Sequence, residues 1–209
     1  MANNTNVAQY PLAVLKPEKA PRLYTLSEYL HREERANELH EYYNGIINKL
    51  PMAKGTHNII VFNIGNALMN AFQANVKDYT IFGSQQLVYL PELNFTRYPD
   101  VLVIAETPKY WDKNEVLLIN PLLIVEVLSR STKKYDSIGK FEEYKTLESF
   151  SEYVLIDPEK SHIKTHFREA PNLWRDTICK DISDKIELKS VDCAIEMSAI
   201  YKKIVFKTP

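Results

Sequence analysis

The sequence predicts an α/β (α+β) fold with a mixed central β-sheet flanked by helices. Two short runs, Val101 to Ile104 and Leu122 to Leu128, are almost wholly apolar and read as strands covered on both faces. Helical periodicity from Thr56 and again from Ser131-Thr132 alternates with these strands. No repeat, low-complexity tract or linker divides the chain, so residues 23–209 read as a single domain behind an N-terminal arm of residues 1–22.

Each element has a local cause. The arm is polar at first and then carries Pro11, Pro17 and Pro21. Thr25-Leu-Ser-Glu28 forms a capping box that opens a short helix through Leu30 to about Glu34. Leu39 to Met52 reads as a hairpin whose turn is Asn44-Gly45, a pair that tolerates the positive φ angles of a two-residue turn. Thr56 is placed to cap the next helix, in which Ile60, Ile64, Leu68 and Phe72 recur on one side and His57 lies in the first turn. Tyr79 to Leu90 reads as one irregular strand, Pro91 to Tyr98 as a loop, and Glu106 to Asn114 as a polar excursion.

After the Leu122 strand, a helix is expected from Ser131-Thr132 to about Leu147, with Tyr135, Ile138, Phe141 and Tyr144 forming its stripe. Tyr153 to Ile156 is a further strand. Ser161 to Arg168 alternates, with Ile163, Thr165 and Phe167 on one face and His162, Lys164 and His166 on the other. On a strand these histidines share an exposed face, which disfavours a zinc site. Leu173 to Cys179 and Lys185 to Leu188 read as short strands, and Glu196 to Ile204 as a terminal helix.

Composition excludes several classes. The 209 residues are 45% hydrophobic, enough for a core, and carry a net charge of −1, so a broadly basic nucleic-acid surface is not expected. Cys179 and Cys193 have neither CxxC spacing nor the number for a disulfide framework. No run approaches a membrane span and no signal pattern opens the chain, so a soluble, cytoplasmic protein is expected.

The residue that asks for an explanation is Glu126, an acid inside the Leu122 to Leu128 strand. An ionised carboxylate in that setting requires a cation, a partner or an opening to water. Asp100 stands at the mouth of the other apolar strand, within Arg97-Tyr98-Pro99-Asp100. If the two strands are neighbours, the acids converge, and two hard carboxylates favour magnesium or manganese over zinc. A Pro-Asp pair followed by an acid within an apolar strand resembles the PD-(D/E)XK nuclease superfamily. The usual lysine position two residues after the acid holds Leu128, and Lys140 on the following helix is the substitute.

The ordered set is more specific. Glu41-Tyr-Tyr-Asn-Gly45, His57, Arg97-Tyr-Pro-Asp100, Val125-Glu-Val-Leu-Ser129, Ser131-Thr132, Asp136, Lys140, Tyr144 and Glu152-Tyr-Val-Leu-Ile-Asp-Pro158 together resemble the Uma-two family of endonucleases, over about Tyr24 to Tyr201. Arg130 and Val154 depart from the family's usual Pro and Trp. The resemblance implies a restriction-endonuclease-like fold and metal-dependent hydrolysis of nucleic-acid phosphodiester bonds. It also implies that Glu41 completes the acidic cluster.

The expected catalytic set is therefore Asp100, Glu126, Lys140 and Glu41. Asp100, Glu126 and the Val127 carbonyl are expected to hold Mg2+ or Mn2+, with Asp136 holding Lys140 in place. Lys133, Lys134, Arg97 and His57 are expected at the nucleic acid, which is expected to be DNA. A homodimer is compatible with this reading. The alternatives are a non-cleaving nucleic-acid-binding or protein-interaction module on the same fold, and a phosphoesterase acting on a small nucleotide.

Overall fold

The computed structural model describes residues 22–73, 77–129 and 138–206. The first element, α1 (Leu26–Glu33), opens with the expected capping box: the Glu28 N–H donates to Thr25 Oγ1 at 3.1 Å and the Thr25 N–H to Glu28 Oε2 at 2.8 Å. Strands β1 (His40–Tyr43) and β2 (Ile46–Lys49) pair antiparallel around Asn44 (φ 43°) and Gly45 (φ 106°). Those left-handed values suit a tight hairpin turn. Helix α2 (Gly55–Phe72) begins just before Thr56, which lies inside the first turn and does not cap it.

The chain then runs through β3 (Thr80–Gly83), β4 (Leu87–Leu90), β5 (Phe95–Arg97), β6 (Val101–Ile104), β7 (Leu117–Leu118) and β8 (Leu123–Val127). Helix α3 (Lys140–Tyr144) follows, then β9 (Glu152–Ile156), β10 (Ile163–Ala170), β11 (Leu173–Cys179), β12 (Lys185–Leu188), β13 (Cys193–Glu196) and α4 (Met197–Ile200). The central sheet is six-stranded and mixed, in the order β11-β10-β9-β8-β6-β3, with β8 and β9 parallel and the other pairs antiparallel. A five-stranded sheet, β2-β1-β5-β4-β7, and the β12-β13 pair complete the layers.

The expected neighbours are adjacent: β6 and β8 pair directly. Alternate side chains go to opposite faces of a strand, and both faces are covered here. Val101, Val103, Leu123 and Val125 pack with Ile60, Ile64 and Leu68 of α2. Leu102, Ile104 and Ile124 pack with Tyr144, Leu147 and Phe150, and with Val88 and Leu90 of the second sheet. Each such side chain contributes about 1.5–3 kcal/mol of burial, which is why these strands tolerate no polar residue without a specific partner.

Four expectations are corrected. Tyr79 to Leu90 is not one strand: the chain turns at Gly83–Gln86 and passes from the six-stranded to the five-stranded sheet. The expected loop from Pro91 to Tyr98 contains β5, whose Thr96 and Arg97 are buried, so no apolar run announces it. The helix after β8 ends at Tyr144, short of Leu147. His166 is not exposed, because Phe141 stacks on its ring at 4.3 Å and covers that face of β10. The expected start of the α3 helix at Ser131-Thr132, together with Lys133, Lys134 and Asp136, lies outside the described residues, as does the N-terminal arm except Arg22.

Candidate active site

Asp100 immediately precedes β6, whose pairing with β8 begins at Val101↔Val125. Asp100 Oδ2 accepts a hydrogen bond from the Val127 N–H at 2.7 Å, which ties it to the Glu126 strand. His57, in the first turn of α2, brings Nε2 to 3.2 Å from the same oxygen. Burial pulls the His57 pKa down, but the hydrogen bond and the charge of Asp100 outweigh it and leave it raised.

Glu126 is 4% exposed, on the face of β8 turned towards α3. Its Oε1 accepts from Lys140 Nζ at 3.1 Å and from the Tyr144 hydroxyl at 3.1 Å. Lys140 and Tyr144 are four residues apart and so lie on one side of α3. Burial, reinforced by the Glu126 charge, holds the Tyr144 pKa well above its ordinary value, so the hydroxyl remains a donor. Leu128, where the usual lysine would stand, packs in the same apolar cluster as Tyr144.

A second buried group adjoins the first. Glu143 Oε2 accepts from Arg97 Nη2 at 2.6 Å and from Nε at 2.8 Å. Glu41 Oε2 lies 3.6 Å from Arg97 Nη1 and accepts from the Tyr43 hydroxyl at 2.7 Å, while Glu41 Oε1 accepts from the Tyr98 N–H at 3.2 Å. The Arg97 guanidinium lies 4.0 Å from the centre of the Tyr43 ring. Arg97 is fully buried, which corrects its expected place at a nucleic-acid surface: the geometry turns the cation inward, onto two acids.

The structure thus brings Asp100 together with His57 and the Val127 backbone, and Glu126 with Lys140; Glu41 sits with Arg97 and Glu143. Sequence reasoning gave no role to Glu143, because nothing in its helical position marks it as the partner of a residue 46 positions away. The Tyr144 hydroxyl had a signal, its i,i+4 spacing from Lys140.

Among the described residues, no group of three or more His, Cys, Asp or Glu side chains is arranged to hold a metal. The donors expected from the sequence are two carboxylates, Asp100 and Glu126, and the carbonyl of Val127. They are all hard oxygens and few, which fits a cation that keeps most of its waters rather than an all-protein cage.

The mixed six-stranded sheet with helices on its faces has a nuclease-like fold. The Uma2 family model, described as "Putative restriction endonuclease", matches residues 26–198, and the chain belongs to that family. The uncharacterized protein sll1609 of Synechocystis sp. is 39% identical over 153 residues, covering 73% of this chain and 85% of that protein. The uncharacterized protein slr1290 of the same organism is 28% identical over 179 residues, covering 86% and 92%. A crystal structure from Anabaena variabilis, of a putative nuclease belonging to DUF820, superposes with a TM-score of 0.68 at 16% identity, over 87% of this chain and 99% of that one. Restriction-endonuclease-like families generally use divalent metals. No helix among the described residues is long and apolar enough to cross a membrane.

Proposed function

We propose that the protein is a metal-dependent endonuclease that hydrolyses phosphodiester bonds in nucleic acid, with DNA as its substrate. The observation that carries this reading is the 3.1 Å contact between Lys140 Nζ and Glu126 Oε1, on the strand beside that of Asp100. Asp100, Glu126 and the Val127 carbonyl would hold Mg2+ or Mn2+, which when bound lowers the pKa of a coordinated water and offsets phosphate charge.

Asp100, fixed by the Val127 N–H, keeps a set orientation at the strand mouth. His57 places a donor beside it, suited to a phosphate oxygen. Lys140 brings a cation to the strand acid from α3 and orients the attacking water or stabilises negative charge developing in the transition state. Its stem packs along the helix while the ammonium reaches across. Lys133 and Lys134 supply backbone contacts to the nucleic acid. Glu41 acts as the supporting acid of the neighbouring Arg97 group.

The test is cleavage of supercoiled plasmid, single-stranded DNA and RNA with Mg2+ or Mn2+, beside a Glu126→Ala control. Cutting that needs both the metal and Glu126 is the expected result. Binding to any of these substrates with no cutting under either metal would select the non-cleaving module instead.

A further inference from the structure

We propose that Arg97 and Glu143 are positioning residues: their buried pair clasps α3 and thereby sets Lys140 and Tyr144 on Glu126. The catalytic consequence rests on the nuclease reading; the positional statement stands without it.

Among the described residues, α3 spans Lys140–Tyr144 and shows no side-chain cap hydrogen bond. Helical stability in a folded protein comes mainly from tertiary packing, and the described turns of α3 are packed against both sheets. On one side Phe141 stacks on Tyr153 at 5.8 Å and on His166 at 4.3 Å. Ring contacts of this kind hold a helix against a sheet but tolerate sliding and rotation.

The other side carries directional contacts. At about 100° per residue, Lys140, Glu143 and Tyr144 occupy one sector of the helix. Glu143 is caught by two nitrogens of one guanidinium, at 2.6 and 2.8 Å. That guanidinium is itself immobilised: Nη1 donates to the Thr96 carbonyl at 2.7 Å, and the Tyr43 and Phe95 rings lie 4.0 and 5.1 Å from its carbon. Arg97 belongs to β5 of the five-stranded sheet, whereas Glu126 belongs to β8 of the six-stranded sheet. The clasp therefore fixes α3 from one sheet while Lys140 and Tyr144 address the acid of the other. A planar fork can do this; the point charge of a lysine cannot hold the same angle. Full burial leaves Arg97 no surface for a phosphate, and burying a cation is costly unless its partners match it closely.

The test uses the full chain as wild type, Arg97→Lys and Glu143→Gln. Acetylation of each lysine by acetic anhydride is followed by mass spectrometry, with exposed Lys185 as the internal reference. Lys140, buried against Glu126, should be protected in the wild type. In both variants its labelling should rise roughly tenfold while Lys185 stays constant, as expected when a buried, paired amine loses its placement.

In the cleavage assay, kcat should fall roughly tenfold or more with KM within about twofold, the pattern for a group acting at the transition state. Glu143→Gln added to Lys140→Ala should then lower kcat no further. Lys140 remaining protected in folded Glu143→Gln protein, or additive losses in the double variant, would overturn the clasp. Glu143→Gln is isosteric and decides the question alone if Arg97→Lys fails to fold. If the wild type cuts nothing, the nuclease reading falls, and the labelling still decides the clasp.

Discussion

The Asp100 carboxylate accepts a hydrogen bond from the Val127 N–H at 2.7 Å, so the acid of one strand is tied to the residue beside the acid of the next. This contact holds Asp100 beside β8, one residue before the β6–β8 pairing begins at Val101↔Val125. Calorimetry with Mn2+ should show affinity falling at least about tenfold in Asp100→Asn, which replaces one of the two proposed anionic ligands with a neutral one. Equal affinity in the two proteins would remove Asp100 from the proposed metal site.

The Lys140–Glu126 pair is buried on both sides. Removing one member of such a pair costs more than replacing both. Lys140→Met should lower stability by about 2–3 kcal/mol, and Glu126→Gln in that background should restore part of the loss. Urea unfolding of the two single variants and the double variant measures this; simple additivity would show that the contact carries no coupling.

Two histidines should titrate in opposite directions. His57 is raised because Asp100 outweighs burial; its stabilising contribution is full below its unfolded pKa of ~6.5 and fades as pH rises through the folded value. His166 is lowered by burial against Phe141 despite Asp176; its contribution is present above ~6.5 and is lost as pH falls towards its folded value. Proton NMR titration should place the His57 midpoint above that of His166. Asp100→Asn should move His57 downward and leave His166 where it was.

Gly45 sits at φ 106°, and a Cβ there would stand 3.1 Å from Leu23 Cδ2. Gly45→Ala should destabilise the protein by about 1–3 kcal/mol through backbone strain and this close approach. Thermal unfolding would reveal it; an unchanged midpoint would show that the β1–β2 turn relaxes without cost.

Much of this molecule is written locally. The Thr25–Glu28 capping box, the Asn44-Gly45 turn and the apolar runs of β6 and β8 each declare themselves through a few adjacent residues. Their cause is short-range: backbone φ preference, a cap, or a strand with both faces covered. The lysine on the helix after Glu126 was also legible, because a buried acid demands a partner and Leu128 cannot serve.

The amino-acid sequence by itself therefore determined the family and the mixed sheet with β6 beside β8. Only the tertiary structure decided that Arg97 faces inward to Glu143, that Tyr79 to Leu90 serves two sheets, and that His166 lies under Phe141. The physical reason is range. Periodicity reports which side of an element is apolar, but the partner of a buried charge is chosen by whichever distant element packs against it, and 46 residues separate Arg97 from the carboxylate that holds it.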